Sequence, residues 1–450
     1  MLLNIVLVGA GEVGFNLSKF LSKENYNLTV IDIDPIKCNR VKNTIDARVI
    51  EGDGCSQRIL QTIDFSNIDY FLALTKIDEI NLVASTIAKK MGAKNIIARL
   101  RNTEYIHSNA LVSPENFGID DVIYPEKSAQ KEIENLVRDS SAVEVKSFFN
   151  DKIKLLGITL DHNSSLIDRT INNVYLSNPY IVHRTPLIYR NDNTFIPHGD
   201  TIYQKDDVIY FICSEKSVDD IYKLTEKATF KVRNIMILGL GKISRMLAKS
   251  LGNDYNVKII EINKEKAKKY SESLDESLVL VGDGLDEDFL ESESIHEIDC
   301  FIATTENDKT NMLASLMAKY KGVKQVIMHV STTNYFKSMR KIGIDAVVSK
   351  NISAVNDVFK IIHSKSEDIN ITPFEDMHID ALEIIANSGS KYFVKNYTVD
   401  DLPDNICLVG ILRNDDIIIP SINKASIKEN DKLLIFLNPE SLSKIENLFK

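Results

Sequence analysis

Gly9-Ala10-Gly11-Glu12-Val13-Gly14 follows a short apolar run, Ile5-Val6-Leu7-Val8, and opens a segment with helical spacing. Each glycine in that arrangement has a physical task. The first permits a tight turn, the second lets a phosphate approach backbone N–H groups, and the third allows close helix–strand packing. A helix that starts there adds unpaired N–H donors and a partial positive charge. Asp32 stands at the end of the next apolar run, 18 residues beyond Gly14. A carboxylate at that place accepts hydrogen bonds from ribose hydroxyls and repels a 2′-phosphate, which favours NAD(H) or an adenosine nucleotide over NADP(H).

The same pattern returns as Gly239-Leu240-Gly241-Lys242-Ile243-Ser244, 230 residues further on. Ser244 replaces the third glycine; serine is small enough to keep the packing with less tolerance. Glu261 replaces Asp32 with a longer reach toward the same hydroxyls. Gly52-Asp53-Gly54 recurs as Gly282-Asp283-Gly284, Thr75 as Thr305, and Asn81 as Asn311. Asp53 and Asp283 sit where they would approach an adenine or cap the helix that follows. Thr75 and Thr305 end strands, where ligands of open α/β sheets bind. Arg99, late in the fifth strand, is within reach of a phosphate, although an arginine there is more often a solvated surface residue. Its counterpart is His329.

Other chemistry is missing. The sequence has no G-x-x-x-x-G-K-[ST] loop, no H-E-x-x-H pair and no G-x-S-x-G turn. Its eight histidines are scattered without ligand spacing. The five cysteines (Cys38, Cys55, Cys213, Cys300, Cys407) are far apart and read as reduced small hydrophobes, not as a zinc or disulfide framework. A dehydrogenase would follow its dinucleotide fold with a substrate domain carrying a positioned acid or base. No such constellation is visible, so catalysis is not expected and no metal site is assigned.

The elements that position these residues alternate between strand and helix. In the first copy the strands are Ile5–Val8, Leu28–Ile33, Ala47–Ile50, Tyr70–Leu74, Asn95–Leu100 and Asp121–Tyr124, short Val- and Ile-rich runs of the kind buried on both faces. Val13, Leu17, Phe20 and Leu21 make one helical face, and Asn81–Lys90 and Asn311–Tyr320 a matched helix pair. Such alternation gives a parallel, helix-covered sheet. After about residue 140 the pattern becomes short alternating segments such as Ile153–Ile158 and Val208–Ile212. Arg190-Asn191-Asp192 then recurs as Arg413-Asn414-Asp415. The fold class is therefore α/β: two Rossmann-like parallel-sheet domains (1–140 and 229–365), each followed by a small α+β domain (141–228 and 366–450).

The 450 residues carry a net charge of −10, which argues against a general nucleic-acid binder. No apolar run reaches the ~18 residues that span a bilayer, so the chain is not itself a channel, and its first residues do not read as a signal peptide.

With these motifs the chain resembles the Trk-type potassium-uptake regulatory proteins, a family built from domains that regulate potassium conductance (RCK or KTN domains). The resemblance covers essentially the whole chain and the domain order. It rests on the first glycine turn, Val30-Ile31-Asp32, Glu51-Gly52-Asp53-Gly54, Thr75 with Asp78, Glu79 and Asn81, Ala98-Arg99 with Arg101-Asn102, and Tyr124-Pro125-Glu126. In the second copy it rests on Gly282-Asp283-Gly284 and Thr305 with Asn307, Asp308 and Asn311. The resemblance implies a cytoplasmic homo-oligomeric ring on the inner face of the membrane, docked on a TrkH-type potassium-translocating subunit. NAD(H) or ATP/ADP would change its shape and gate the pore. It implies nucleotide contacts from Gly9, Ala10, Gly11, Glu12, Val13, Asp32, Asp53, Gly54, Thr75 and Arg99, and from Gly239, Leu240, Gly241, Lys242, Ile243 and Glu261. In single-copy relatives a carboxylate at the place of Glu126 helps to hold a cation; the second copy has Asn351 there. The alternatives are an NAD-dependent oxidoreductase with two dinucleotide-binding units, and a nucleotide sensor with a soluble partner.

Overall fold

The computed structural model describes residues 3–449 except 24–25, 107–109, 228–229, 332–338, 340–341, 365–368, 375–378, 404 and 421–425. Strands β1 (Asn4–Val8), β2 (Asn27–Asp32), β3 (Arg48–Glu51), β4 (Tyr70–Ala73), β5 (Asn95–Arg99) and β6 (Asp121–Ile123) form a sheet in the order β3-β2-β1-β4-β5-β6. Every pairing in it is parallel. The order reverses between β1 and β4, and the crevice at that reversal is where open α/β sheets bind ligands. The expected strands agree with these to within a residue or two at each end. Ile33, expected as the last residue of its strand, instead begins the loop beyond β2 and is 72% exposed.

The small sheet that follows contains β7 (Glu144–Phe148), β8 (Ile153–Thr159), β9 (His183–Arg190), β10 (Asn193–Phe195) and β11 (Val208–Ser214), ordered β10-β9-β11-β8-β7 and antiparallel. The second large sheet contains β12 (Asn234–Leu238), β13 (Asn256–Glu261), β14 (Ser277–Val281), β15 (Cys300–Ala303), β16 (Gln325–His329) and β17 (Ala346–Val348). Its order, β14-β13-β12-β15-β16-β17, repeats the first. The second small sheet, from β18 (Ile369–Phe374), β19 (Ile379–Ile385), β20 (Ile406–Arg413), β21 (Asp416–Ile418) and β22 (Lys432–Leu437), repeats the small sheet's order in turn.

The recurring Arg-Asn-Asp motif has a structural cause. Asn191 and Asp192 have φ of 50° and 66°, and Asn414 and Asp415 have φ of 48° and 73°. Both pairs form the two-residue turn of a tight hairpin, which requires left-handed backbone at both positions and suits Asn and Asp. The arginine before each turn clamps a buried aspartate. Arg190 donates to Asp207 from Nε (2.7 Å) and Nη2 (2.6 Å), and Arg413 to Asp431 in the same way (2.8 and 2.7 Å). The inner faces of the two small sheets share one core, in which Phe148, Leu187 and Tyr210 join Phe374, Val409 and Phe436.

The helix after each large sheet's last strand takes an unexpected place. Helix Lys350–Ser364, which follows β17, packs on the first sheet: Ala354, Val355, Val358 and Ile362 join Ile5, Leu7, Val30 and Leu72 in one core cluster. Phe20 meets Phe359 edge-on at 4.5 Å, the Tyr70 hydroxyl donates to the Ile362 carbonyl (3.0 Å), and Asp357 takes the Ser128 hydroxyl. The end of the equivalent first-copy helix, Pro125–Arg138, lies with the second sheet: Gln325 Nε2 on β16 donates to the Leu136 carbonyl at 2.9 Å. The cysteines are free, and all but Cys55 are buried. Burial pushes the Cys213 thiol up to about 12, so it packs as a hydrophobe.

Candidate functional site: two glycine turns

The first turn is held open by its own backbone. Gly9 has φ of 102°, a left-handed conformation that glycine adopts without strain, and its N–H donates to the Ile31 carbonyl (2.8 Å). A side chain on Gly9 would strike the Thr75 backbone at 2.9 Å, and one on Gly14 would meet the Gly9 carbonyl oxygen at 1.8 Å. Gly11 is different: a Cβ there meets nothing within 4 Å. Packing therefore requires Gly9 and Gly14 but leaves space above Gly11, at the start of helix Glu12–Lys23, where an anion meets free N–H donors.

Asp32 closes the other side. One carboxylate oxygen accepts from the Ala10 N–H (2.6 Å) and the other from the Asp34 N–H (2.8 Å), with Lys37 Nζ 3.9 Å away. The carboxylate is thus oriented at the end of β2 next to the turn. Oxygens with more than one lone pair retain capacity for hydroxyl donors. Val13 is a core residue, while Glu12 is partly exposed and pairs with Arg40 at 2.7 Å. Arg40 also lies 3.7 Å above the Phe15 ring.

The second turn has the same geometry. Gly239 has φ of 92° and donates to the Ile260 carbonyl (2.8 Å). A Cβ on Gly241 has no neighbour nearer than the Thr304 carbonyl at 3.8 Å. Glu261 accepts from the Leu240 N–H (3.0 Å), the Asn263 N–H (3.0 Å) and Lys266 Nζ (2.8 Å). Burial alone would raise its carboxyl, but these three donors outweigh burial and hold it below the usual range. Leu240 and Ile243 are buried, and Lys242 is the first residue of helix Lys242–Leu251. Ser244, at the place of the third glycine, is fully buried, and its hydroxyl bonds that of Thr304 (2.8 Å).

The remaining expected residues fall into distinct places. Asp53 and Asp283 do not cap the helices that follow, which begin on Ser56 and Asp286; each accepts the N–H two residues on, from Cys55 and Leu285 (both 2.9 Å), and so closes its own turn. Gly54 and Gly284 are required by packing, since a Cβ would lie 2.2 Å from Val8 and 2.3 Å from Leu238. Thr75 and Thr305 are tied by both N–H and hydroxyl to Asn81 and Asn311, which staple the strand end to the following helix.

Arg99 is 6% exposed, so the alternative of a solvated strand-end arginine does not hold. Its guanidinium lies 3.9 Å from Glu126, itself 2% exposed, and its Nε has no hydrogen-bond partner among the described residues. Burial and the neighbouring Arg101 lower its pKa, with Glu126 opposing them. A buried cation with an open donor suits an anionic ligand group. Asn351, at the place of Glu126 in the second copy, donates to the Ser331 carbonyl (2.7 Å). No group of three or more His, Cys, Asp or Glu that could hold a metal occurs among the described residues. Sequence reasoning did not single out Lys37, Lys266, Arg40 or Thr304, because each acts through a side-chain pairing that no local motif marks.

Comparison with known proteins gives a consistent result. The TrkA-N domain model matches residues 5–125 and 235–350, and the TrkA-C domain model matches 155–225. The Trk system potassium uptake protein TrkA homolog 2 of Methanosarcina mazei is 30% identical over 454 positions, covering 99% of each chain. The Trk system potassium uptake protein TrkA of Vibrio alginolyticus is 28% identical over 455 positions, 100% of this chain and 99% of its own. Among solved structures, the GsuK RCK domain superposes with a TM-score of 0.62 at 14% identity, over 100% of this chain and 95% of its own. The GsuK channel bound to NAD gives 0.62 at 14%, over 100% and 79%. At that identity the likeness establishes the fold.

Proposed function

Since the chain belongs to the TrkA family of Trk potassium uptake proteins, we propose that it is the nucleotide-binding regulatory subunit of such a system, gating a separate TrkH-type membrane subunit that translocates potassium. The observation that carries the nucleotide reading is the open cradle above Gly11 and Gly241, each faced by a carboxylate that a turn N–H orients. NAD(H) and ATP/ADP both fit this chemistry: phosphate on the turn and helix N–H groups, ribose hydroxyls on Asp32 or Glu261. GsuK, a structural neighbour, has been solved with NAD and with ADP.

The bound nucleotide supplies phosphate charge at the turn, and the protein supplies the response. Gly9 to Val13 and Arg99 receive the phosphates, and Asp32 fixes the ribose. A ligand shifts a conformational equilibrium only through different affinities for its two states. Arg99 is held by Glu126, so a phosphate that attracts Arg99 would loosen that pairing and pull on helix Pro125–Arg138. The protein acts as a homo-oligomeric ring at the inner face of the membrane, and it is a regulator, not an enzyme. No described helix is long and apolar enough to cross a membrane.

Titration of the purified chain with NADH, NAD, ATP and ADP, with oligomeric mass followed alongside, tests the reading. Binding with a change of assembly supports it. Absence of binding by all four, or failure of the tagged chain to co-purify with a TrkH-type subunit, contradicts it.

A further inference from the structure

The two turns share a backbone but not a charge. Around the first, Glu12, Asp32 and Asp34 stand against Lys37 and Arg40, a net −1. At the aligned positions of the second, Lys242, Arg245, Lys264, Lys266 and Lys269 stand against Glu261 and Glu265, a net +3. Phe15 has become Arg245, Asp34 has become Asn263, and the first residue of the phosphate-facing helix has changed sign from Glu12 to Lys242. This occurs on a chain whose net charge is −10.

Arg245 and Lys266 are held in place around the turn. Arg245 lies 4.0 Å above the Tyr270 ring, and its Nε donates to the Gly241 carbonyl (3.3 Å), which keeps its guanidinium at the helix start. Lys266 sits on Glu261 at 2.8 Å, whereas Lys37 stands 3.9 Å from Asp32. In the first copy the glutamate at the helix start is neutralised by Arg40, so that turn offers backbone donors and little net charge. The apolar surface runs the other way. Ile33 and Ile77, on the loops after β2 and β4, and Ile36, in the first turn of helix Pro35–Thr44, are exposed beside the first crevice. In the second copy Ile262 remains, but Glu265 and Asn307 replace the other two, and Asn307 is spent capping helix Asp308–Tyr320.

We propose that the two turns divide the nucleotide chemistry, the first taking a dinucleotide such as NAD(H) and the second a nucleoside triphosphate. The inference rests on the nucleotide reading given above. A triphosphate brings more negative charge than the pyrophosphate bridge of a dinucleotide. Its binding therefore gains most where Lys242 and Arg245 add to the helix N-terminus. A dinucleotide presents two flat bases and less charge, which suits a turn bordered by exposed isoleucines and a neutralised Glu12–Arg40 pair.

Variants that close one site at a time provide the test. Gly241 has φ of −76° and no close neighbour for a Cβ, and Gly11 has none either, so Gly11→Asp and Gly241→Asp each leave the fold intact while filling one cradle. Each variant is titrated calorimetrically with NADH, ATP and NADPH. Gly11→Asp should retain ATP binding and lose NADH; Gly241→Asp should do the reverse. Lys242→Glu should weaken ATP binding by about tenfold or more, and ATP affinity at the second site should fall more steeply with salt than NADH affinity at the first. Equal ligand preference in the two glycine variants, an unchanged ATP affinity in Lys242→Glu, or tighter NADPH than ATP binding at the second turn overturns the inference. Failure of the unmodified chain to bind any of the three overturns the nucleotide reading instead.

Discussion

The hydroxyls of Ser244 and Thr304 share a hydrogen bond of 2.8 Å at the place where the first copy has Gly14 and Leu74. The two departures compensate each other. A side chain at the third turn position brings a polar atom into the core, and a threonine at the end of the neighbouring strand satisfies it while also donating to the Leu238 carbonyl (3.2 Å). Thr304→Val removes that partner and leaves the Ser244 hydroxyl buried. It should cost about 1–3 kcal/mol in denaturant unfolding, and Ser244→Gly in the same background should recover part of the loss. Gly14→Ser has no such partner and meets the Gly9 carbonyl, so it should cost about 3 kcal/mol or more.

His183 makes the first small domain sensitive to acid. Burial lowers its pKa to about 4, with the Ile181 carbonyl on Nδ1 opposing and Arg184 assisting. The ring stacks on Tyr175 at 4.5 Å. The unfolded chain binds this proton near pH 6.5 and the folded one does not until about pH 4, so stability is fully present above 6.5 and declines through that window. The loss reaches roughly 3 kcal/mol for a fully buried ring. Chemical denaturation at pH 7 and pH 4.5 should show the slope, and His183→Leu should flatten it. The aligned residue of the second small domain is Ile406, which contributes no such slope.

The Arg190–Asp207 and Arg413–Asp431 clamps hold the hairpins that the repeated Asn-Asp turns begin. Asp207 is fully buried and also accepts the Gln204 N–H at 2.8 Å. Asp431 does the same with Lys428 at 2.7 Å. Asp207→Ala strands a guanidinium against the sheet and should cost on the order of 3–5 kcal/mol. An equal stability for this variant and the unmodified chain, by thermal unfolding, would show the pair to be neutral.

Much of this was legible in the sequence, for reasons that differ by element. The central strands of both large sheets are buried on both faces, so their Val and Ile runs stand out, and the glycine turns announce themselves because Gly9 needs a left-handed backbone. The offset of 230 exposed the repeat. Long-range pairings were not legible. Nothing in Lys350–Ser364 says that its apolar face belongs to the first sheet, because amphipathic spacing marks a face and not its partner. The burial of Arg99 was hidden because its partner Glu126 lies on another element, and Asp53 resembled a helix cap because a turn closed on the N–H two residues later leaves the same local signature.

In the proposed role, nucleotide at the glycine turns governs a potassium pathway in another protein. Potassium flux through a TrkH-type subunit reconstituted in vesicles, with the purified chain added, reads that control out. NADH or ATP should change the flux when the unmodified chain is present and leave it unchanged with the Gly11→Asp/Gly241→Asp double variant, which keeps the fold but fills both cradles. The same nucleotide response with the double variant, or none with the unmodified chain, would rule out control through the glycine turns.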